Sequence, residues 1–334
     1  MKSNHSIMTY FSRGHMSGPG GSSGSPFNAR EPATASGEET TTGRRTSMTP
    51  LELKSLVDER LASVVGEVGS EQLRRAMTHA LAGGKRIRPL MTMMTCSAVG
   101  GRERDALDAG VAFELLHTAS LIHDDIMDGS DMRRGQQTVH ALMGLPAAIL
   151  AGDALIALAF SVLQRAEYVR KAQIAEAFNA AFIALCEGQS DDMVFSRNDG
   201  VEDRAHRTMV EKKTARLLEA ATRIGALIGT ADARLSSAMA DFGLNIGMAY
   251  QAHDDLLDVT GSEELLGKPV GMDARNGKRT FLTAGHPGGD PVAYAASVVR
   301  EYTQRACIAL DALNDSPALD SLRAIAGSLV GREM

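Results

Sequence analysis

From Thr49 almost to the end of the chain, apolar residues recur every three or four positions, the period of a helix with one buried face. The alternation of a strand is nearly absent. Thr49-Pro50 followed by Glu52 is a helix-start signal. The pattern predicts helices over roughly 50–67, 70–82, 86–99, 102–128, 147–165, 169–195, 201–217, 217–230, 234–259, 289–314 and 317–331. Breaks fall at Gly83-Gly84, from Gly129 to Thr138 and from Gly261 to Gly277, each beside a charged cluster. Residues 1–48 are rich in Gly, Ser, Thr and Pro without apolar periodicity, which predicts a disordered N-terminal tail. Its Ser and Arg content suits a transit segment, but Glu31, Glu38 and Glu39 argue against one, and no apolar core marks a secretory signal. Residues 49–334 then read as one all-α domain, a single bundle of long helices with no internal linker.

Composition supports this reading. Hydrophobic residues make up 44% of the chain, enough for a sizeable core, while aromatics are 4% and Trp is absent, so Ala, Leu, Ile and Met must fill it. That suits closely packed helices. A formal net charge of −6 excludes a broad nucleic-acid surface, although local basic clusters can still hold phosphates. Cys96, Cys186 and Cys307 are far apart and embedded in apolar stretches, which predicts buried, reduced thiols in a cytoplasmic protein. The most apolar stretch, Ala141 to Leu163, is interrupted by Pro146, Gly152 and Asp153, and reads as a buried helix instead of a membrane span.

The candidate chemistry is acidic first. Asp124, Asp125 and Asp128 form DDxxD at the end of an apolar helical run, and Asp254, Asp255 and Asp258 repeat the spacing. Positions four apart share a helix face, so Asp124 and Asp128 project together, with His117 two turns earlier on the same face. Crowded carboxylates call for a hard cation such as magnesium, which typically bridges one or two carboxylates to substrate phosphates. One DDxxD alone also fits a solvated helix face. Two copies, each entered from an apolar run, point to facing metal sites.

Basic residues accompany the acids. GGKRIRP places Lys85, Arg86 and Arg88 at a helix start, where backbone donors and cationic side chains make a phosphate grip, the alternative being plain basic surface. Arg133 and Arg134 follow the first motif and can neutralise diphosphate oxygens; without a ligand they would pair with the aspartates instead. Asp192 in GQSDD, and Lys213 and Thr214 in EKKT, interrupt apolar helices, as surface polar residues also do. Lys268, Asp273, Lys278 and Arg279 lie in a Gly-rich stretch suited to a lid over an anionic substrate, or to a surface turn.

Together GGKRIRP, HTASLIHDDIMDGSDMRRG, GQSDD, KKT, QAHDDLLD and GKPVGMDARNGKRT closely resemble the motifs of the trans-isoprenyl diphosphate synthases, in that family's order, across about residues 80 to 282. The resemblance implies an isoprenoid synthase catalytic domain with a deep apolar cavity, working as a homodimer, with no nucleic acid and no membrane span. It implies three magnesium ions per site and two substrates, isopentenyl diphosphate and an allylic diphosphate. Lys85, Arg88 and His117 would bind the isopentenyl diphosphate, assisted by Arg134. Asp124, Asp128 and Asp254 would hold magnesium, with Asp125, Asp192, Asp255 and Asp258 supporting them directly or through water. Arg133, Lys213, Thr214, Gln251 and Lys268 would contact the allylic substrate, and Lys278 would help close the site. The catalytic set is then Asp124, Asp125, Asp128, Arg133, Lys213 and Asp254.

In this family the residues before the first aspartate line the cavity floor, here Ser120, Ala119, Leu116, Phe113 and Ala112. A helical turn of about 5.4 Å approximates one isoprene unit. Ala119 lacks the bulk of a short-chain plug, so the expected product is C20, geranylgeranyl, or longer, with Leu116 or Phe113 as the floor. The first motif lacks the two-residue insertion that many relatives carry. A class I terpene cyclase is disfavoured by the second DDxxD, the scarce aromatics and the provision for a second diphosphate. A non-catalytic regulatory subunit is disfavoured because both aspartate motifs are intact.

Overall fold

The computed structural model describes residues 47–196, 200–261, 278–284 and 289–330. The predicted N-terminal tail, save Ser47 and Met48, lies outside them, as do Lys268 and Asp273. Helix α1 (Pro50–Gly66) starts where the sequence signal placed it: the Thr49 hydroxyl accepts from the Glu52 N–H, and the Glu52 carboxylate accepts from the Thr49 N–H. Ser70 caps α2 (Glu71–Leu81) in the same way. After the left-handed turn of Gly83, Gly84 and Arg86 comes α3 (Ile87–Ala98). A short 3-10 turn, Glu103–Ala106, feeds α4 (Leu107–Met127).

Helix α4 is central. All residues from Ala109 to Leu116 are buried, so this stretch is enclosed on every side and contacts α1, α2, α3, α6 and α9. It ends at the first aspartates. The break predicted after them contains an antiparallel hairpin, Met132–Arg133 paired with Gln136–Gln137, closed by Arg134 (φ 52°) and Gly135 (φ 74°). Two positive φ values in a two-residue loop match the twist of the strands they join. A short helix, α5 (Val139–Met143), follows, unannounced by the periodicity.

Helix α6 (Leu145–Arg165) begins with Pro in its first turn, where a missing N–H costs nothing. It differs from the buried helix expected of so apolar a stretch. Ala148, Ala151, Leu155, Ala159 and Val162 face the core, but Leu145, Ile149 and Leu150 are exposed, and Leu142 of α5 lies exposed just before them. One chain does not supply enough neighbours to cover both faces. By length and hydropathy α6 is also the one described helix able to cross a membrane.

Helix α7 (Lys171–Phe195) carries Asp192 near its C-terminus. Helix α8 (Asp203–Val210), a π-helical turn (Glu211–Ala215) and α9 (Arg216–Gly229) follow one another without a break, where two abutting helices were expected. Helix α10 (Ala233–Thr260), the longest, packs against α9, the π turn and α11 (Pro291–Leu310), and α12 (Pro317–Val330) closes on α3 and α11. Cys96 is buried, its thiol pushed up to about 12 by desolvation, whereas Cys186 is exposed and Cys307 half-buried, contrary to the expectation of three buried thiols.

Candidate active site

Three helices bring carboxylates to their C-terminal ends. Asp124, Asp125 and Asp128 close α4, Asp254, Asp255 and Asp258 lie in the last two turns of α10, and Asp192 lies in the last turn of α7. A helix C-terminus already carries partial negative charge, so a carboxylate there is disfavoured unless a cation answers it. The answers in this chain are side-chain cations. Lys278 Nζ donates to Asp128 at 2.7 Å, Lys213 Nζ to Asp192 at 2.6 Å, and Arg133 Nε is shared between the two Asp125 oxygens at 2.8 and 2.9 Å. Burial raises the pKa of Asp124, against the pull of Lys213 and with the push of Asp128. Asp125 is raised by burial too, with Arg133 opposing.

The two aspartate motifs share a short bridge. Lys278 reaches Asp128 of the first, and three residues later the Phe281 N–H donates to Asp255 of the second at 2.9 Å. Asp255 also accepts from Gln251 Nε2 at 2.8 Å, and Gln251 Oε1 accepts from the Thr214 hydroxyl at 3.1 Å. Thr214 and Lys213 both belong to the π turn, a local widening of the helix that often marks a working site. Gly188 of α7 lies against the Lys213 backbone and Gly247 of α10 against Ala215, at a spacing that leaves no room for a Cβ.

Opposite the acids stands a basic wall. Arg88 lies in the first turn of α3, where free backbone N–H groups favour an anion. Burial presses its pKa below the ordinary value, Glu114 and Tyr250 counter that, Arg134 adds to it, and Asp254 is close enough to be felt. Arg134 is lowered likewise, first by burial, and its guanidinium lies where a Cβ on Gly84 would touch it, at 3.0 Å. Its left-handed backbone, uncommon for a residue with a side chain, is held by the hairpin. His117 is held well below its usual range by burial and by Arg88, Arg134, Arg133 and Arg86, so its imidazole is neutral near pH 7.

One member of the expected phosphate grip turns away. Arg86 is buried, and its guanidinium donates to Asp58 at 2.7 Å, Glu114 at 2.8 Å and the Leu81 carbonyl at 2.7 Å, which leaves it no free edge for a ligand. It braces the wall. Glu114, which sequence reasoning passed over, is its buried partner and the countercharge beneath Arg88 and Arg134. The signal was there: a lone carboxylate in the apolar run FELLH, one turn before His117. Gln189 was also passed over. It is 6% exposed with both amide atoms lacking a protein partner, three residues before Asp192.

Below the aspartates, Ala119, Leu116 and Phe113 are fully buried along α4, and the half-buried Ser120 donates its hydroxyl to the His117 carbonyl at 2.8 Å. Phe113 meets Phe178 of α7 edge-on at 5.0 Å, Phe178 meets Phe160 of α6 at 5.3 Å, and Phe182 lies 6.2 Å beyond. This cluster gathers four of the chain's nine phenylalanines in one place.

The carboxylates suit a hard, oxygen-seeking cation. Among the described residues no three His, Cys, Asp or Glu side chains form a ready-made metal cage.

Comparison with known proteins bears on the same features. The sequence model of the family described as polyprenyl synthetase matches residues 70–286. The short chain isoprenyl diphosphate synthase of Methanothermobacter thermautotrophicus is 44% identical over 68% of this chain and 70% of its own length. The crystal structure of a geranylgeranyl pyrophosphate synthetase from Pyrococcus horikoshii superposes with a TM-score of 0.80 at 36% identity, covering 85% of this chain and 97% of that one. A polyprenyl synthase from Caulobacter crescentus, complexed with calcium and isoprenyl diphosphate, gives 0.76 at 26% identity, covering 87% of this chain and 100% of that one.

Proposed function

The chain belongs to the polyprenyl synthetase family, the trans-isoprenyl diphosphate synthases of all-α isoprenoid synthase fold, and from that premise we propose how its own residues divide the work of prenyl transfer. Isopentenyl diphosphate and an allylic diphosphate are condensed head to tail. The carbon–oxygen bond of the allylic diphosphate breaks, the isopentenyl double bond attacks the allylic carbon, and a proton is lost to give a chain longer by one isoprene unit.

Asp124, Asp128 and Asp254, with Asp192 and Asp258 behind them, would hold magnesium, which supplies positive charge to a departing diphosphate. Lys213, Arg133, Lys278 and Lys268 add cationic charge to that diphosphate, and Thr214 and Gln251 orient it. Lys85, Arg88, Arg134 and neutral His117 bind the isopentenyl diphosphate on the basic wall. Asp125 acts through Arg133, which its carboxylate holds in place. What carries this reading is the single bridge Lys278–Phe281 linking two aspartate-bearing helix ends whose charge reaches the basic wall at Arg88.

The product reading rests on the floor. Ala119 sets only a methyl group below the aspartates, and Phe113 lies eleven residues before Asp124, roughly 16 Å along the helix. Backed by Phe178 and Phe160, it is the candidate floor beneath a product of C20 or longer. The relatives named above span short-chain and geranylgeranyl products, in keeping with such a length. The exposed apolar face of α6 fits a second copy of this chain better than a bilayer, since the opposite face of that helix is committed to the core, and a homodimer is the reading we take from it.

Product chromatography tests the proposal. The purified chain, given magnesium, isopentenyl diphosphate and C5, C10 or C15 primers in turn, is expected to yield mainly C20, and Ala119→Phe to shorten it toward C15. No condensation with any primer would leave the regulatory-subunit reading standing, and an unchanged profile in Ala119→Phe would remove the floor assignment.

A further inference from the structure

Arg207 of α8 sits in a cage that nothing in the proposed reaction uses. Its Nε donates to Asp203 Oδ2 at 2.7 Å, Nη2 to the Tyr294 hydroxyl at 2.8 Å and Nη1 to the Tyr302 hydroxyl at 3.3 Å. The Tyr294 hydroxyl in turn donates to Asp203 Oδ1 at 2.6 Å. Three rings surround the guanidinium, with the centroids of Phe281, Tyr294 and Tyr302 at 5.6, 5.9 and 5.8 Å. Burial works against this charge, and the bonds to Asp203, Tyr294 and Tyr302 outweigh it, raising the pKa above the usual value.

The cage touches the site through one residue. Phe281 is fully buried under Arg207, and its backbone N–H is the donor to Asp255. The adjacent His206, 1% exposed, meets the same ring edge-on at 4.8 Å and bonds the Arg279 carbonyl through Nε2 at 3.1 Å. Thus α8 grips residues 279 and 281, while residue 278 delivers its ammonium to Asp128. A lysine head on a flexible four-carbon stem reaches only what its backbone is held close to. Generic packing would not need a charged group at this point, and α11, which supplies both tyrosines, carries none of the proposed site residues.

We propose that Arg207 is a positioning residue: its cation–aromatic cage, with His206, fixes the backbone of residues 278–281, so that Lys278 and the Asp255 hydrogen bond stand ready at the two aspartate motifs. The inference rests on the reading that these motifs take a magnesium-bound diphosphate. Arg207 does not touch substrate. It decides how well the acidic half of the site is preorganised and leaves the basic wall unaffected.

Calorimetry with inorganic pyrophosphate separates the two halves, because binding with magnesium reports the acidic half and binding without it reports the basic wall. In Arg207→Met the magnesium-dependent affinity is expected to fall about tenfold, the order of coupling seen between residues that share partners. The magnesium-free affinity should stay near wild type, while loss of the bonds to Asp203, Tyr294 and Tyr302 lowers the melting temperature to a point still above that of the assay; Arg207→Lys, which keeps a cation among the rings, should recover part of the loss. In a Lys278→Ala background Arg207→Met should cost far less than alone. Tyr294→Phe, which removes only a hydroxyl, should give a smaller loss in the same direction. Wild-type magnesium-dependent binding that Arg207→Met leaves unchanged would overturn this inference alone, as would full additivity with Lys278→Ala. A wild type with no magnesium-dependent binding would overturn the parent reading and this one with it.

Discussion

His117 shows how much one side chain's surroundings decide. In the unfolded chain it titrates near 6.5, while in the fold burial and four guanidiniums keep it neutral well below that. The native state therefore binds fewer protons than the unfolded chain between those two values, and stability rises with pH across that window. The contribution is fully present above the unfolded value and is lost as pH falls from it toward the lowered one. Denaturant midpoints measured at about pH 7.5 and about pH 5.5 should drop more in wild type than in His117→Gln. His206, also lowered by burial, remains in both proteins and supplies a common slope. Equal drops in the two proteins would mean that His117 is not buried among those guanidiniums.

Among the elements, the π turn is one whose neighbours leave it little freedom. A Cβ on Gly188 would collide with the backbone nitrogen of Lys213 and lie 2.7 Å from its Cα, and on the far side a Cβ on Gly247 would lie 2.5 Å from the Ala215 Cα. Two helices thus approach the turn to backbone contact, and the turn holds Lys213 against Asp192 and Thr214 against Gln251. Gly188→Ala should destabilise the protein by about 1–3 kcal/mol, the usual cost of overpacking a closed contact. Thermal melts followed by circular dichroism, run beside turnover assays, should show both a lower midpoint and reduced activity. An unchanged melt would mean that α7 and the π turn are not in contact at that point.

At the scale of the bundle, α5 and α6 leave a surface unfinished. Leu142, Leu145, Ile149 and Leu150 expose apolar side chains along α5 and α6, with Leu150 at 60%. A contiguous patch of this kind marks a surface that another molecule covers. Replacing Ile149 and Leu150 together with Glu should leave the helical content of each chain intact, because neither is buried within it, yet shift the particle from the proposed dimer to monomer in sedimentation velocity; a wild type that sediments as a monomer would remove the dimer reading. A dimer of undiminished stability would assign the patch to some other partner.

Local rules carried much of this protein. Helices followed from periodicity and caps, each readable within a few residues, and observed boundaries fall within a few residues of those expected. The aspartate motifs were equally legible, since three carboxylates within five positions share a helix end whatever lies around them. What the string could not show depends on groups far apart along it: Arg86 turning inward to Glu114, 28 residues away, Arg207 reaching Tyr302 across 95, and Lys278 meeting Asp128 across 150. The same holds for α6, whose composition is apolar all round while its burial is one-sided. Periodicity reports what a segment can bury, but which basic residue faces a ligand, and which apolar face stays open, is settled by the packing of neighbours that the local pattern does not encode.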